Sequence, residues 1–385
     1  MRTNPELHYL DNAATTLVDP LVAQAIQQAM TEVWANPSSL YAPAVQAQQV
    51  LERARARVAN SLHCAPQEVY FTACGSESNN LALQGAARPR RHWGDKIVVT
   101  AFEHPSVQRP LRMLREEGFE VVEIAPEPDG TLDLQKFLAA VDKRTVLAAC
   151  MAVNNETGAR QDVAALAAAV KQKNDRTHVH VDAVQAWLRV PIDLQKWAGV
   201  DSLSVSGHKA HVPKGIGALF VRERQRQTLR PPVLGGHQER GLRPGTENLP
   251  YAAGMGVAAV QGVQGMAAHS RTVQALRARL LAGLAELPGM VLHTPPGGVA
   301  EVVNFSTMCV NSQTMIGYLS DRGVYVSGGS ACDKGEHSHT LLAMGCPDAE
   351  VRTALRVSLC GDNDEGDIDA LLAGLRDGLR ELQHI

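Results

Sequence analysis

No C-x-x-C pair occurs anywhere in the chain, and its seven cysteines are odd in number and widely spread. That excludes a disulfide framework and a zinc ribbon, and leaves most of the cysteines as small apolar fillers, as Cys150 within VLAACMAV would be. Long apolar runs are missing too: none approaches the roughly 20 residues that cross a bilayer. The opening MRTNPELHYLDNAATT has neither an apolar core nor a small-residue cleavage site. A cytoplasmic location is therefore expected. Charge of one sign is also lacking, since the net charge is -3 and the isoelectric point lies near 6.5. Neither direct nucleic-acid binding nor a membrane partner is expected of such a balance. Internal repeats and low-complexity tracts are absent, and the modest alanine bias reads as helix propensity.

What is present is an ordinary globular balance, 45% apolar and 20% charged, in 385 residues. That length suggests two domains. Between about residues 68 and 221, seven β-rich runs alternate with helical stretches: VYFTA, KIVVTA, FEVVEIA, TVLAACMAV, HVHVDA, DSLSVS and GALFV. The alternation implies an α/β unit with a mostly parallel seven-stranded sheet covered by helices. Beyond residue 255 the pattern changes to a long helical stretch, scattered strands (AEVVNFST, GVYVS, ALRVSLC) and the amphipathic IDALLAGLRDGLRELQ. This reads as a smaller α+β domain, with LPGMVLHTPPGG as a loop within it. The expected division is a large unit over 14–255 and a small one made of 1–13 and 256–385.

In a parallel sheet, ligands sit outside the carboxyl ends of the strands. Polar, reactive residue types cluster at five such ends in series: ACGSESNN (73–80), FEHPS (102–106), VNNETG (153–158), VDAVQA (181–186) and SVSGHK (204–209). Any one of them could be only loop chemistry. The series as a whole is not explained that way. Cys74 to Ser78 would begin a helix, where backbone N–H groups hold a phosphate, although Ser76 or Ser78 could equally be an N-cap. Asp182, ending an alternating strand, would be half buried and in need of a cation such as a protonated pyridine nitrogen, or would cap the following helix. Lys209 decides between these readings. A lysine in a partly desolvated pocket becomes an amine nucleophile suited to a Schiff base. Beside it stand a phosphate cradle (Ser76, Ser206, His208), a carboxylate, and an imidazole, His104, able to stack on a flat ring. Those are the parts of a pyridoxal phosphate site.

Taken in order, YLDNAATT, NPSS, ESNNLAL, EHPSV, VNNETG, VDAVQA, SVSGHKAHVPKGIGALFVR, GGHQERGLRPGTEN, SGGSAC and LRVSL make the sequence resemble the fold-type I pyridoxal phosphate enzymes of aminotransferase class V, and among them the NifS/IscS-type cysteine desulfurases. The resemblance covers nearly the whole chain. It implies that Lys209 holds pyridoxal 5'-phosphate and moves the Cα proton, that Asp182 pairs with the ring nitrogen, that His104 stacks on the ring and that Gln185 bonds the ring oxygen. Gly75, Ser76, Ser206 and His208 would hold the phosphate, joined by Thr246 from a neighbouring subunit, so a homodimer is implied. Asn155 lies at the cofactor and, with Arg356 and its bidentate fork, would hold the carboxylate of L-cysteine. Cys332, in the Gly-rich SGGSACDKGEHSHT, matches the nucleophile that takes up the sulfur as a persulfide and delivers it to a protein acceptor in iron–sulfur assembly or tRNA thiolation.

The same stretch offers Cys332, His337 and His339 for a metal, but without zinc-site spacings, so no metal is expected there. Departures from the family pattern are LYAPAV after NPSS, SGGSAC for SSGSAC, a slightly shorter loop after Cys332, and Cys360 at a habitual glycine. None removes a catalytic group. The shorter loop points to a member dedicated to one pathway, such as tRNA thiolation. Rival readings are another class-V reaction (selenocysteine lyase, cysteine lyase or aminotransferase) and a non-catalytic sulfur-carrier subunit.

Overall fold

The computed structural model describes residues 7–328 and 337–383. A short strand β1 (His8–Tyr9) leads into helices α1 (Pro20–Thr31) and α2 (Ala42–Ser61). Strands and helices then alternate: β2 (Val69–Thr72), α3 (Gly75–Arg90), β3 (Lys96–Thr100), α4 (Pro105–Glu116), β4 (Glu120–Ile124), α5 (Leu134–Ala140), β5 (Thr145–Met151), α6 (Val163–Lys173) and β6 (His178–Asp182). After β7 (Ser202–Ser206) and β8 (Gly217–Val221) comes the long helix α7 (Leu249–Ala285). The remainder holds β9 (Val291–Leu292), β10 (Val302–Ser306), α8 (Ser312–Ser320), β11 (Val324–Tyr325), α9 (His339–Ala343), α10 (Asp348–Thr353), β12 (Ala354–Ser358) and α11 (Glu365–Glu381).

The seven strands of the first region form one sheet in the order β2-β8-β7-β6-β5-β3-β4, and only β8 runs against the others. The mostly parallel sheet expected from the sequence is what forms. Helices cover both faces, so inner strands β5, mostly apolar, and β7, whose three serines are small, are buried at every position. Strand β6, HVHVD, alternates polar and apolar residues and yet is buried throughout. The reason is that His178 and His180 stay neutral: burial drags both down to about 3. Two of the helices that cross between strands start at carboxylate caps, Asp133 for α5 and Asp162 for α6, whose side chains accept first-turn N–H groups.

The second region builds an antiparallel sheet, β12-β10-β9, and a parallel pair, β1 with β11. Strands β10, β11 and β12 fall on the runs expected for them. LPGMVLHTPPGG, read from its Gly and Pro content as a loop, contributes β9, because Val291 and Leu292 complete the edge of β10. Helix α7 carries the chain from one core to the other without a break at residue 255. Leu249, Ala252, Met255 and Ala259 pack into the core of the large sheet, whereas Val273, Leu276, Leu280 and Leu284 pack with Phe305, Val357 and Leu371. Among the described residues no helix is long and apolar enough to cross a membrane.

The first half of α7 lies against α1 and α2 at a distance that only small residues permit. A Cβ on Gly256 would stand 2.8 Å from the Ala54 Cα of α2, a backbone atom with nowhere to go. Replacing Gly256 by leucine should therefore overpack this contact and cost about 1–3 kcal/mol, read as a lower denaturation midpoint at unchanged slope. An unaltered midpoint would mean that the α2–α7 spacing is not set here.

Candidate active site

Because β8 alone is reversed, β2, β3, β5, β6 and β7 present their carboxyl ends along one edge of the sheet. The five polar strand ends seen in the sequence are not consecutive in the chain, since β4 intervenes. Its edge position puts it last in the sheet, beyond β3. Lys209, Asp182, Gln185, His104, Gly75, Ser76, Ser206, His208, Asn155 and Arg356 all line one pocket at that edge. Thr246 does not line it and is exposed in the segment before α7. Cys332 lies outside the described residues.

Lys209 sits on a single helical turn directly after β7. Its ammonium donates to the carbonyls of Ala13 and Ala14, each at 2.6 Å. Gln185 Nε2 donates to the same Ala13 carbonyl at 3.0 Å, and its Oε1 accepts from Arg189. The segment after β1 is thus drawn across the pocket floor by the lysine.

Asp182 is fully buried, not half buried as its alternating strand suggested. Among the described residues no lysine or arginine forms an ion pair with it. Two donors hold it instead: Asn79 Nδ2 to Oδ2 at 2.8 Å and Val184 N to Oδ1 at 2.9 Å. The second is a local turn cap, so the capping reading and the site reading coexist in one side chain. Asn79 was missed by sequence reasoning. Its Nδ2 also donates to Ser106 Oγ at 2.8 Å, while its Oδ1 faces His180 Nε2 at 2.9 Å. The direction of the whole chain of bonds follows from that carbonyl oxygen. It can only accept, so His180 donates from Nε2 and keeps a lone pair on Nδ1. Ser202 Oγ then donates to His180 Nδ1 and accepts from His178 Nε2, each at 2.8 Å. On the other side, Ser106 Oγ and Ser106 N lie 2.8 and 3.1 Å from His104 Nδ1. His104 is thereby the N-cap of α4, and burial holds it below the usual histidine range.

The opposite end of the pocket is built for an anion. Helix α3 opens there, and its cap is neither Ser76 nor Ser78 but Cys74, whose sulfur accepts from Glu77 N at 3.5 Å. Ser78 is buried against Thr72. A Cβ on Gly75 would stand 2.6 Å from Val184 Cγ2, so only glycine lets the helix start this close to the β6 end. Ser206 Oγ is buried with no partner. His208 is pushed down to about 4, first by burial and then by the charge of Lys209. A helix N-terminus, a free hydroxyl and a glycine-tight approach are what a phosphate requires.

On the third side, Arg356 of β12 reaches across from the second core. It donates from Nη1 to the Asn155 carbonyl at 3.0 Å and from Nη2 to Asp11 Oδ1 at 2.6 Å. Its Nε and the Asn155 Oδ1 are buried without partners. Asp11 therefore already occupies part of the guanidinium fork, which the sequence did not reveal. His339 Nε2 donates to the Glu103 carbonyl at 2.8 Å, while His337 is exposed. Ser338 and Thr340 both donate to the buried Glu156 carboxylate, so the start of α9 is pinned to the large sheet.

Comparison with known proteins places nearly the whole chain in one family. The family model for aminotransferase class V matches residues 8–371. A cysteine desulfurase of Trichormus azollae is 37% identical over 375 residues, covering 94% of this chain and 90% of that protein. The cysteine desulfurase IscS of Methylococcus capsulatus is 37% identical over 381 residues, 98% of this chain and 93% of its own. Among solved structures, a NifS-like protein superposes with a TM-score of 0.92 at 35% identity, covering 97% of this chain and 99% of that one.

Glu103, directly before His104, has a testable consequence. Its carboxyl accepts from Thr100 and from Met151 N, but burial dominates and raises it to about 8. The folded state thus keeps a proton that the unfolded chain releases near pH 4.5. Between those values folding takes up a proton, so stability falls as pH rises from about 4.5 to 8 and levels off above. Glu103→Gln should flatten that slope in Tm-against-pH curves. Parallel curves for wild type and variant would show that Glu103 is ionised in the fold.

Proposed function

The chain belongs to the aminotransferase class-V family, and from that premise we propose that it is a cysteine desulfurase that uses pyridoxal 5'-phosphate held by the residues of this pocket. The observation that carries the reading is a buried carboxylate, Asp182, that no lysine or arginine among the described residues pairs with, lining the same pocket as the Lys209 amine. Such a charge is costly unless a cation meets it. A protonated pyridine nitrogen is a cation of the right kind. Ser206 Oγ, left unpartnered beside the α3 N-terminus, suits a phosphate together with Gly75, Ser76 and His208. His104 and Gln185 would hold the ring's face and its oxygen. The residues present therefore fit the cofactor.

When bound, the cofactor supplies the electron sink that makes the substrate's Cα proton acidic. Every remaining task falls to the chain. Lys209 would hold the cofactor through its amine and, once displaced by L-cysteine, would carry the proton from Cα. Arg356 and Asn155 would orient the substrate carboxylate, sharing the guanidinium with Asp11. The Cys332 thiolate would attack the sulfur of L-cysteine: an S–S bond forms, the Cβ–S bond breaks, and Cβ takes up a proton to leave as L-alanine. The persulfide would then pass to a protein acceptor, an iron–sulfur scaffold or a tRNA-thiolating enzyme. The working unit is proposed as a cytoplasmic homodimer, with the partner subunit's Thr246 completing the phosphate site. The large and small units, 14–255 and 1–13 with 256–385, belong to the same reading.

Sulfide and alanine should appear in equal amounts from L-cysteine and a thiol reductant. Cys332→Ala should abolish sulfide while leaving the cofactor's visible absorbance, and Lys209→Ala should remove both products. Bound cofactor with no sulfide from the wild type would move the chain to another class-V reaction. Asn79→Leu should leave Asp182 with one donor and weaken cofactor retention by about 10-fold, on the scale of other lost supporting contacts. Retention equal to wild type would show that Val184 alone suffices.

A further inference from the structure

Away from this pocket, His293 meets Cys346 and Glu350, which stand four residues apart in the chain, at the corner between α9 and α10. His293 follows β9, Cys346 lies between α9 and α10, and Glu350 is in α10. Their ligand atoms all lie within 4.8 Å of one another. His293 Nδ1 stands 3.8 Å from Cys346 Sγ and 3.8 Å from Glu350 Oε2.

Hydrogen bonding fixes which nitrogen of His293 faces that space. Ser306 Oγ donates its proton to the Glu350 carbonyl at 2.6 Å, so toward His293 Nε2, also at 2.6 Å, it can only accept. Nε2 carries the proton, and Nδ1 turns a lone pair toward the thiol and the carboxylate. Two acceptors thus face each other with a single thiol proton between them. Among the described residues no lysine or arginine forms an ion pair with Glu350, and the space asks for a cation.

We propose that His293, Cys346 and Glu350 form a binding site for a divalent cation of the zinc type, with the fourth position open to water or an incoming ligand. The donor set decides the class of metal: thiolate and imidazole select zinc-like ions over magnesium or calcium. Zinc bonds of about 2.0–2.3 Å in tetrahedral array set ligand atoms about 3.4–3.6 Å apart. The two separations from His293 Nδ1, 3.8 Å each, need to close by only a few tenths of an ångström, and the thiol and carboxylate already lie within 4.8 Å of each other. Thiolate and carboxylate together neutralise a 2+ ion, and Ser306 supplies the outer hydrogen bond that orients a ligating imidazole. Cys346 is partly exposed, which gives the ion an entry path. Cys346 packs against only a small apolar cluster, Leu341, Met344, Val351 and Ala354. A metal there would staple a corner that has little core of its own. The inference stands apart from the cofactor reading, since none of its residues lines that pocket.

The full-length holoenzyme, stripped with a chelator, would be titrated with Co2+ and then with Zn2+. A single Co2+ per chain is expected, giving a thiolate-to-cobalt charge-transfer band in the difference spectrum that Zn2+ displaces. Cys346→Ala and Glu350→Gln should each weaken binding by about tenfold or more and abolish the rise in Tm that Zn2+ gives the wild type. Cys332→Ala and Cys360→Ala should leave binding intact. The Cys360 variant matters because His211, Cys360 and Asp362 form another such group. Absence of the band, or a band that survives in both Cys346→Ala and Glu350→Gln, would overturn the proposal. So would a band lost only with Cys360 or Cys332.

Discussion

Asp182 brings a carboxylate into the buried edge of the sheet where no lysine or arginine pairs with it among the described residues, and the surrounding structure is arranged to hold that charge with N–H groups. One donor is local, the Val184 amide. The other, Asn79, comes from α3 and is fixed in orientation by His180, which is in turn fixed by Ser202 and His178. Each member can act in only one direction once Asn79 presents its carbonyl oxygen to His180. The two histidines must be neutral for this to work, and their burial ensures it. A polar line therefore runs from within the sheet to the pocket, ending at Asp182 on one branch and at His104, through Ser106, on the other.

The pocket also joins the two cores. Arg356 belongs to the antiparallel sheet, yet its guanidinium bonds the Asn155 carbonyl after β5 and the Asp11 carboxylate after β1. Lys209 draws in the next residues of that N-terminal segment through the Ala13 and Ala14 carbonyls. Glu156 accepts from Ser338 and Thr340 at the start of α9. Three separate contacts thus tie the second region to the edge of the large sheet, around one cavity. Residues lining the pocket double as structural caps: His104 caps α4, Cys74 caps α3, and Asp182 closes the turn after β6. The same polar atom that satisfies a backbone group also sets a side chain's direction.

Much of the fold was legible because a parallel sheet buried on both faces writes itself as short β-branched runs with helical stretches between them. The strand ends were legible because Lys209, Asp182, His104 and Ser206 are reactive types in short motifs. The partners were not. Asn79 and His180 are 101 residues apart, and Arg356 and Asp11 are 345 apart. An asparagine on a helix, or a histidine in a strand, carries no local sign of what it will meet. The identity of the α3 cap, for which Ser76 and Ser78 were the alternatives, was not legible for a related reason. Serine is the stronger capping residue in isolation, but the approach of Gly75 to Val184 sets where the helix begins. The short strand β9 escaped notice because two residues among prolines and glycines become a strand only when an edge is offered to them.

The sequence by itself determined the family, the alternation of elements and the residue types at the strand ends, because those rest on local pattern and on side-chain chemistry. Only the tertiary structure decided which groups are charged, paired or left open. Burial and neighbours set those properties: they keep His178, His180 and His208 neutral, raise Glu103 to about 8, occupy part of the Arg356 fork with Asp11, and gather His293, Cys346 and Glu350 at one corner. A residue's type is fixed where it stands in the chain, whereas its ionisation and its partners depend on what folding carries to within a few ångströms of it.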